Sequence, residues 1–308
     1  MSATRVRPAL ILVAIVVAAW PALERQVIAQ ARQRAFYVGV VDEAGVPVPD
    51  LGIKDFVVKE DNVAREILKV EPAVDPMQIA VLVDTGQQAR DVIAHMRTGL
   101  PPFFSALTTP NAGAAKNEIA LVAFGERPTI LTDYTTSAAA LEKGMGRVWS
   151  QQGSGPYLVD AITEVSRALK KREAPRPVIV AIAVEGGELS FSHDQQALEA
   201  LRASGASLNT LMIGTPSASM TDEARSRNIV LDRGTSETGG FREQLLAANA
   251  LPERLKKLAN QLRHQYKVTY ARPERLIPAE KTTIAAKNPA LTAHGVLAKE
   301  EKIDKARP

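Results

Sequence analysis

A chain of 308 residues that is 45% hydrophobic can bury a full core, so a folded globular protein is expected rather than a disordered or fibrous one. The net charge of +4 comes from scattered Lys and Arg with no basic stripe interleaved with aromatics, which argues against a nucleic-acid partner. There is no cysteine, so disulfides, thiolate nucleophiles and Cys-ligated metal centres are excluded.

At the N-terminus Arg5 and Arg7 precede an uncharged apolar stretch from Pro8 to Leu23, too short for a comfortable membrane span of about 20 residues but suited to a signal-peptide core. Ala29-Gln30-Ala31 offers a small-x-small cleavage site, so residues 1–31 are read as a signal peptide. Its distance from the apolar core keeps open an uncleaved signal anchor or a buried helix. Export of a cysteine-free chain points to a bacterial periplasm or cell surface, with inner-membrane anchoring if the segment is retained.

From residue 36 to 73 the pattern is β. Strands are expected at Phe36–Val41, Asp55–Glu60 and Ala64–Val70, with Asp61-Asn62 as a hairpin turn. This β-meander is too small to stand alone and must pack on something larger. After Val74-Asp75-Pro76 strands alternate with helices through residue 272, which predicts an α/β domain built on a mostly parallel, doubly wound sheet flanked by helices. Its first strand, Ile79 to Val83, is wholly apolar and closes on Asp84.

A helix follows with Ile93, Met96, Leu100, Phe104 and Leu107 on one face, and Pro101-Pro102 predicts a kink or break in it. Ile119–Phe124 and Thr129–Thr132 read as an antiparallel edge pair. Ser137 is a candidate cap for a helix through Met145 and Val148. A stronger helix repeats Leu158, Ile162, Val165 and Leu169. Further expectations are a buried strand from Val178 to Val184, a helix near Leu198 and Leu201, and a strand from Leu208 to Ile213. Thr215 to Asn228 lacks a period and reads as an exposed loop. Thr238-Gly239-Gly240 reads as a turn needing positive φ. A helix carrying Leu251, Leu255, Leu258 and Leu262 leads into a strand from Gln265 to Tyr270. Residues 273–308 are read as an extension in which Thr282–Ile284 and Ala290–Val296 form a short hairpin before a disordered tail from Lys299.

The order of strands and helices, with Asp84 closing the first buried strand, resembles the von Willebrand factor A domain. It is most similar to bacterial exported proteins with a short β segment before that domain. The pieces that carry the resemblance are Val41 to Val48 with Leu51, Asp55-Phe56 and Glu60-Asp61, then Val122-Ala123-Phe124-Gly125 with Thr132 to Thr135. Thr238-Gly239-Gly240 and Leu262 to Tyr270 complete them. The resemblance implies a protein-binding module that works through a divalent metal at the carboxyl end of its sheet. It also implies a metal loop of the form Asp-x-Ser-x-Ser, a later Thr, and an Asp after the fourth strand. Asp84 matches the first ligand, Gly86 and Gln88 stand at the two Ser positions, Pro156 at the Thr and Glu185 at the last Asp. A hard cation needs carboxylate and hydroxyl oxygens. The usual metal is therefore not expected, and Asp84 and Glu185 remain the candidates should a reduced Mg²⁺ or Ca²⁺ site exist.

Asp84 is alternatively read as an acceptor for backbone N–H groups at the start of the next helix. Ser154 lacks the Gly-x-Ser-x-Gly frame of a nucleophile elbow, and His95, His193, His264 and His294 have no metal-ligand spacing. No glycine loop follows the first strand to cradle a phosphate. The expected function is non-enzymatic binding of a protein partner through Gln87, Gln88, Ser154, Tyr157 and Glu185. Two other readings stay open: an enzyme using Asp84 and Glu185 as paired carboxylates, and a structural envelope protein.

Overall fold

The protein is described by a computed structural model covering residues 31–110, 114–216, 221–273 and 277–299. The apolar segment read as an export signal and the expected tail beyond Lys299 lie outside these residues.

Strand β5 (Gln78–Val83) sits in a six-stranded sheet of order β10-β9-β8-β5-β6-β7. The others are β6 (Glu118–Ala123), β7 (Thr129–Thr135), β8 (Pro177–Val184), β9 (Ser207–Ile213) and β10 (Arg242–Leu245). All neighbours run parallel except the β6–β7 edge pair, as the tight Gly125-to-Pro128 connection predicts. Burial on both faces explains why these strands read as unbroken apolar runs.

The period of two divides β5 between two cores. Ile79, Val81 and Val83 face one layer of helices, α1 (Ile93–Thr108), α2 (Ala138–Met145) and α6 (Leu251–Arg263). Ala80 and Leu82 face the other, α3 (Leu158–Lys171), α4 (Asp194–Ser204) and α5 (Asp222–Glu237). Six described helices thus flank one mostly parallel sheet, the expected doubly wound architecture.

Helix α1 runs on through Pro101-Pro102 as one element, without the break that the sequence allowed for. Both prolines lie on its solvent side, and the carbonyls of Arg97 and Thr98 that they deprive of partners belong to exposed residues that water can reach. The supposed loop from Thr215 to Asn228 contains the first turns of α5. Thr221 caps this helix by accepting from the Ala224 N–H, and Asp222 and Glu223 complement the helix dipole in its first turn.

Strands β1 (Ala31–Val41), β2 (Phe56–Glu60), β3 (Val63–Arg65) and β4 (Ile67–Pro72) make a second, antiparallel layer with β11 (Gln265–Pro273), β12 (Thr282–Ala286) and β13 (Thr292–Leu297). One sheet has the order β13-β1-β11-β4, the other β12-β2-β3. The β2–β3 hairpin turns at Asp61 and Asn62, both at positive φ (48° and 66°), the conformation of a type I′ turn. The expected single strand from Ala64 to Val70 is instead two strands in different sheets. The expected C-terminal hairpin does not form either: β12 pairs with β2 and β13 with β1.

This layer has its own core of Phe36, Val38, Phe56, Val58, Val268 and Tyr270. Buried Glu60 ties it together, accepting from Arg65 at 3.0 Å, Arg272 at 3.2 Å and Tyr270 at 3.0 Å. Arg176 bolts the two layers. It donates to the Asp75 carbonyl at 3.0 Å and to the Gln265 side chain at 2.5 Å, and stacks on Tyr37 at 4.8 Å. Burial lowers its pKa to about 10 despite the aid of Tyr37 and Asp75.

Candidate functional site

The carboxyl end of the sheet is assembled around Asp84, which has no solvent exposure. One carboxylate oxygen accepts from the Gly86 N–H at 2.8 Å, and the other from the Val184 N–H of β8 at 3.1 Å. Asp84 thereby stitches the end of β5 to the end of β8. Burial raises its pKa to about 6, opposed by these two backbone bonds, the Gln88 amide and the nearby Arg227 charge. A side chain at Gly86 would be tightly placed: its Cβ would lie 3.1 Å from the Asp84 carboxylate and 3.3 Å from the backbone of Gly155 and Pro156.

Glu185, just past the end of β8, is paired with a cation from a different element. Its carboxylate accepts from Arg227 Nη2 at 3.1 Å, with side chains only 7% and 4% exposed, while Arg227 Nη1 donates to the Gly186 carbonyl at 3.1 Å. Arg227 comes from α5, inside the stretch whose sequence reads as a loop. The signal that could have found it is the Thr221-Asp222-Glu223 helix start followed by Ala224, Arg227, Val230 and Leu231. That spacing puts an arginine on a buried face, where it needs an acidic partner.

The residues at the resemblance's ligand positions supply few oxygens for a divalent cation: Pro156 and Gly86 offer no side-chain oxygen, each Asp84 oxygen already accepts a backbone N–H, and the Arg227 guanidinium places a positive charge beside Glu185. Among the described residues no group of three or more His, Cys, Asp or Glu could hold a metal.

Glu188 escaped sequence reading. It is 3% exposed and accepts from the N–H of Leu158, the first residue of α3, at 3.1 Å and from the Ser190 hydroxyl at 2.5 Å. Burial pushes its pKa up to about 7, against the pull of Ser190 and Arg227. Asp160 in the first turn of α3 accepts from the N–H groups of Phe191 at 3.0 Å and Ser192 at 2.8 Å. Two carboxylates at one helix start therefore pin the loop from Glu188 to Ser192.

That loop holds Phe191 83% exposed and Leu189 51% exposed. The Phe191 ring lies 6.1 Å from that of Tyr157. Of the other expected contact residues, Gln87 accepts from the Gly153 N–H at 3.0 Å and Ser154 donates to the Gln151 carbonyl at 2.7 Å. Gln88 lies against Gly186, where a Cβ would come within 2.9 Å of its side-chain oxygen. The structure brings Gln87, Gln88, Ser154, Tyr157 and Glu185 to one end of the sheet. It uses the two Gln, Ser154 and Glu185 to build that end and leaves aromatic side chains to present it.

No protein-family profile matches the sequence, and no curated protein matches it. Among solved structures the chain is similar to a von Willebrand factor type A protein from Catenulispora acidiphila, with TM-score 0.47 and 12% identity over 89% of this chain and 74% of that one. It is similar to the vWF domain of the type V pili tip protein Mfa5 from Porphyromonas gingivalis, with TM-score 0.45 and 10% identity over 62% of this chain and 96% of that one. It is also similar to proximal thread matrix protein 1 from the mussel byssus with a zinc-occupied MIDAS motif, with TM-score 0.49 and 15% identity over 66% of this chain and 49% of that one. The mostly parallel six-stranded sheet with its antiparallel edge is the architecture that the sequence resemblance to the von Willebrand factor A domain implies.

Proposed function

We infer that the chain is a protein-binding module whose contact face is the carboxyl end of the α/β sheet, and that it binds without a divalent metal. The observation that carries this reading is the display of Phe191. A phenylalanine 83% in water, beside Tyr157 and Leu189, sits on a loop fixed at its two ends by the carboxylates of Glu188 and Asp160. Aromatic side chains on rigid supports supply interface energy at low ordering cost. The charge that a metal would bring is built into the chain as Arg227, so a partner meets aromatic and apolar side chains rather than an open coordination position. Export to a periplasm or cell surface is consistent with the apolar segment after Arg5 and Arg7.

The test is site-specific photo-crosslinking in the native cell, with a photoreactive phenylalanine at position 191 and, as control, at exposed Ala115 near the amino end of β6. Discrete protein adducts at 191 and none at 115 support the reading. Equal labelling at both, or none at 191, contradicts it.

A further inference from the structure

On the same end of the sheet, at the tips of β5 and β6, lies a cleft of about 270 Å³ whose walls include Thr85, Gly125, Arg127, Leu131, Arg147 and Trp149. Its floor depends on Gly125, whose N–H donates to the Thr85 hydroxyl at 3.0 Å and where a Cβ would strike Thr85 at 2.5 Å. Trp149 is 57% exposed, yet the backbone around it is pinned. Arg97 holds the Val148 carbonyl at 2.6 Å, the Ser150 hydroxyl donates to the Gly86 carbonyl at 3.0 Å, and the Gln151 N–H donates to the Thr85 carbonyl at 3.1 Å. The indole is thus held out to solvent on a rigid support.

Arg127 and Arg147 are both exposed, and neither makes an ion pair with an acidic residue among those described. Glu126 also borders the cleft, so its charged groups sum to a net positive rim. Tryptophan and arginine are the side chains most enriched at interface hot spots. Paired guanidiniums are suited to fork-like recognition of carboxylates.

We propose that this cleft docks an acidic segment of the partner protein, with carboxylates on Arg127 and Arg147 and an apolar or aromatic side chain against Trp149 and Leu131. The proposal rests on the protein-binding reading above and names the chemistry of the partner. Charge complementarity selects the occupant: two exposed guanidiniums lining one cleft with an indole, without an acidic partner among the described residues, disfavour a basic segment and leave a neutral one without partners for the arginines.

The experiment is selection of a short random-peptide library on the full chain, followed by fluorescence anisotropy of the enriched peptides. Parallel measurements use Trp149→Ala, the double variant Arg127→Gln/Arg147→Gln, and Phe191→Ser, each checked by circular dichroism for native folding. Enriched peptides should combine Asp or Glu with an apolar side chain, and should weaken roughly tenfold or more on the Trp149 and double-arginine variants. Enrichment without an acidic excess, undiminished binding to the arginine variant, or no enrichment overturns the proposal. Equal competition by poly(dT) also overturns it, because the rim then reads only polyanion charge. Peptides lost on Phe191→Ser but unaffected by the other two variants overturn this inference while leaving the protein-binding reading intact.

Discussion

Arg227 reaches from α5 to the end of β8 and places its guanidinium 3.1 Å from the Glu185 carboxylate and 3.1 Å from the Gly186 carbonyl, both side chains being nearly inaccessible to water. A buried pair of this kind adds little over a well-packed apolar pair, but breaking it leaves an uncompensated buried charge. Arg227→Ala is therefore expected to destabilise the chain by about 3–5 kcal/mol. Arg227→Lys should restore part of this, because an ammonium keeps the charge but lacks the fork that serves two acceptors. Urea unfolding of the two variants is the check, and a loss below about 1 kcal/mol for Arg227→Ala would show that the pair is dispensable.

Glu188 makes the stability depend on pH in a defined direction. Its folded pKa of about 7 lies above the ordinary 4.5, so between these values the folded state holds a proton that the unfolded state has released. Its contribution is fully present below about pH 4.5 and declines as pH rises through 7. Asp84, raised from 3.8 to about 6, acts in the same sense over a lower window. Glu188→Gln keeps the acceptor oxygen but cannot ionise. The stability of the native protein relative to this variant should fall by on the order of 3 kcal/mol between pH 4 and 8. Denaturant midpoints across that range measure it, and a flat difference would contradict the account.

Phe191 and Asp160 separate presentation from stability. Because Phe191 is 83% exposed, Phe191→Ser should change unfolding free energy by no more than about 0.5 kcal/mol while abolishing crosslinks from a photoreactive phenylalanine placed at Leu189 on the same loop, itself 51% exposed. Asp160→Ala removes the acceptor for the Phe191 and Ser192 N–H groups. Amide hydrogen exchange at those two positions should accelerate, with the strands of the sheet unchanged. Unchanged protection at residues 191 and 192 would mean that other contacts hold the loop.

Truncation after Pro273 tests the antiparallel layer. The cut removes β12 and β13, which pair with β2 and β1, and uncovers Phe36, Val38 and Val58. The shortened chain should lose protease resistance through residues 31–72 and unfold at lower urea than the full chain. An unchanged midpoint would mean that β12 and β13 are a dispensable coat.

What sequence reading reached and what it missed follow from the range of the interactions. β5 and Asp84 were legible because an apolar run ending in a carboxylate is a local pattern, and α3 because Leu158, Ile162, Val165 and Leu169 repeat at helical spacing. Asp61-Asn62 was legible because a two-residue turn has its own chemistry. The partners of β1 were not. Val38 pairs with Tyr266 on one side and Gly295 on the other, and no local periodicity records pairings more than 200 residues apart. Thr238-Gly239-Gly240 was correctly read as a turn, yet why it needs glycine is tertiary: a Cβ on Gly239 would strike the Gly295 carbonyl of β13 at 2.1 Å. The site divides in the same way. Gly86, Gln88 and Pro156 already disfavoured a metal in the sequence. The residue that pairs with Glu185, Arg227, lies 42 positions away on a helix whose polar start resembles a loop.

Calorimetric titration of Mg²⁺, Mn²⁺ and Ca²⁺ into the full chain, repeated on Asp84→Ala, tests the metal-free face most directly. With both Asp84 oxygens occupied by backbone N–H groups and Arg227 beside Glu185, no saturable heat is expected up to millimolar cation with either protein. Saturable binding to the native chain that disappears in Asp84→Ala would contradict it.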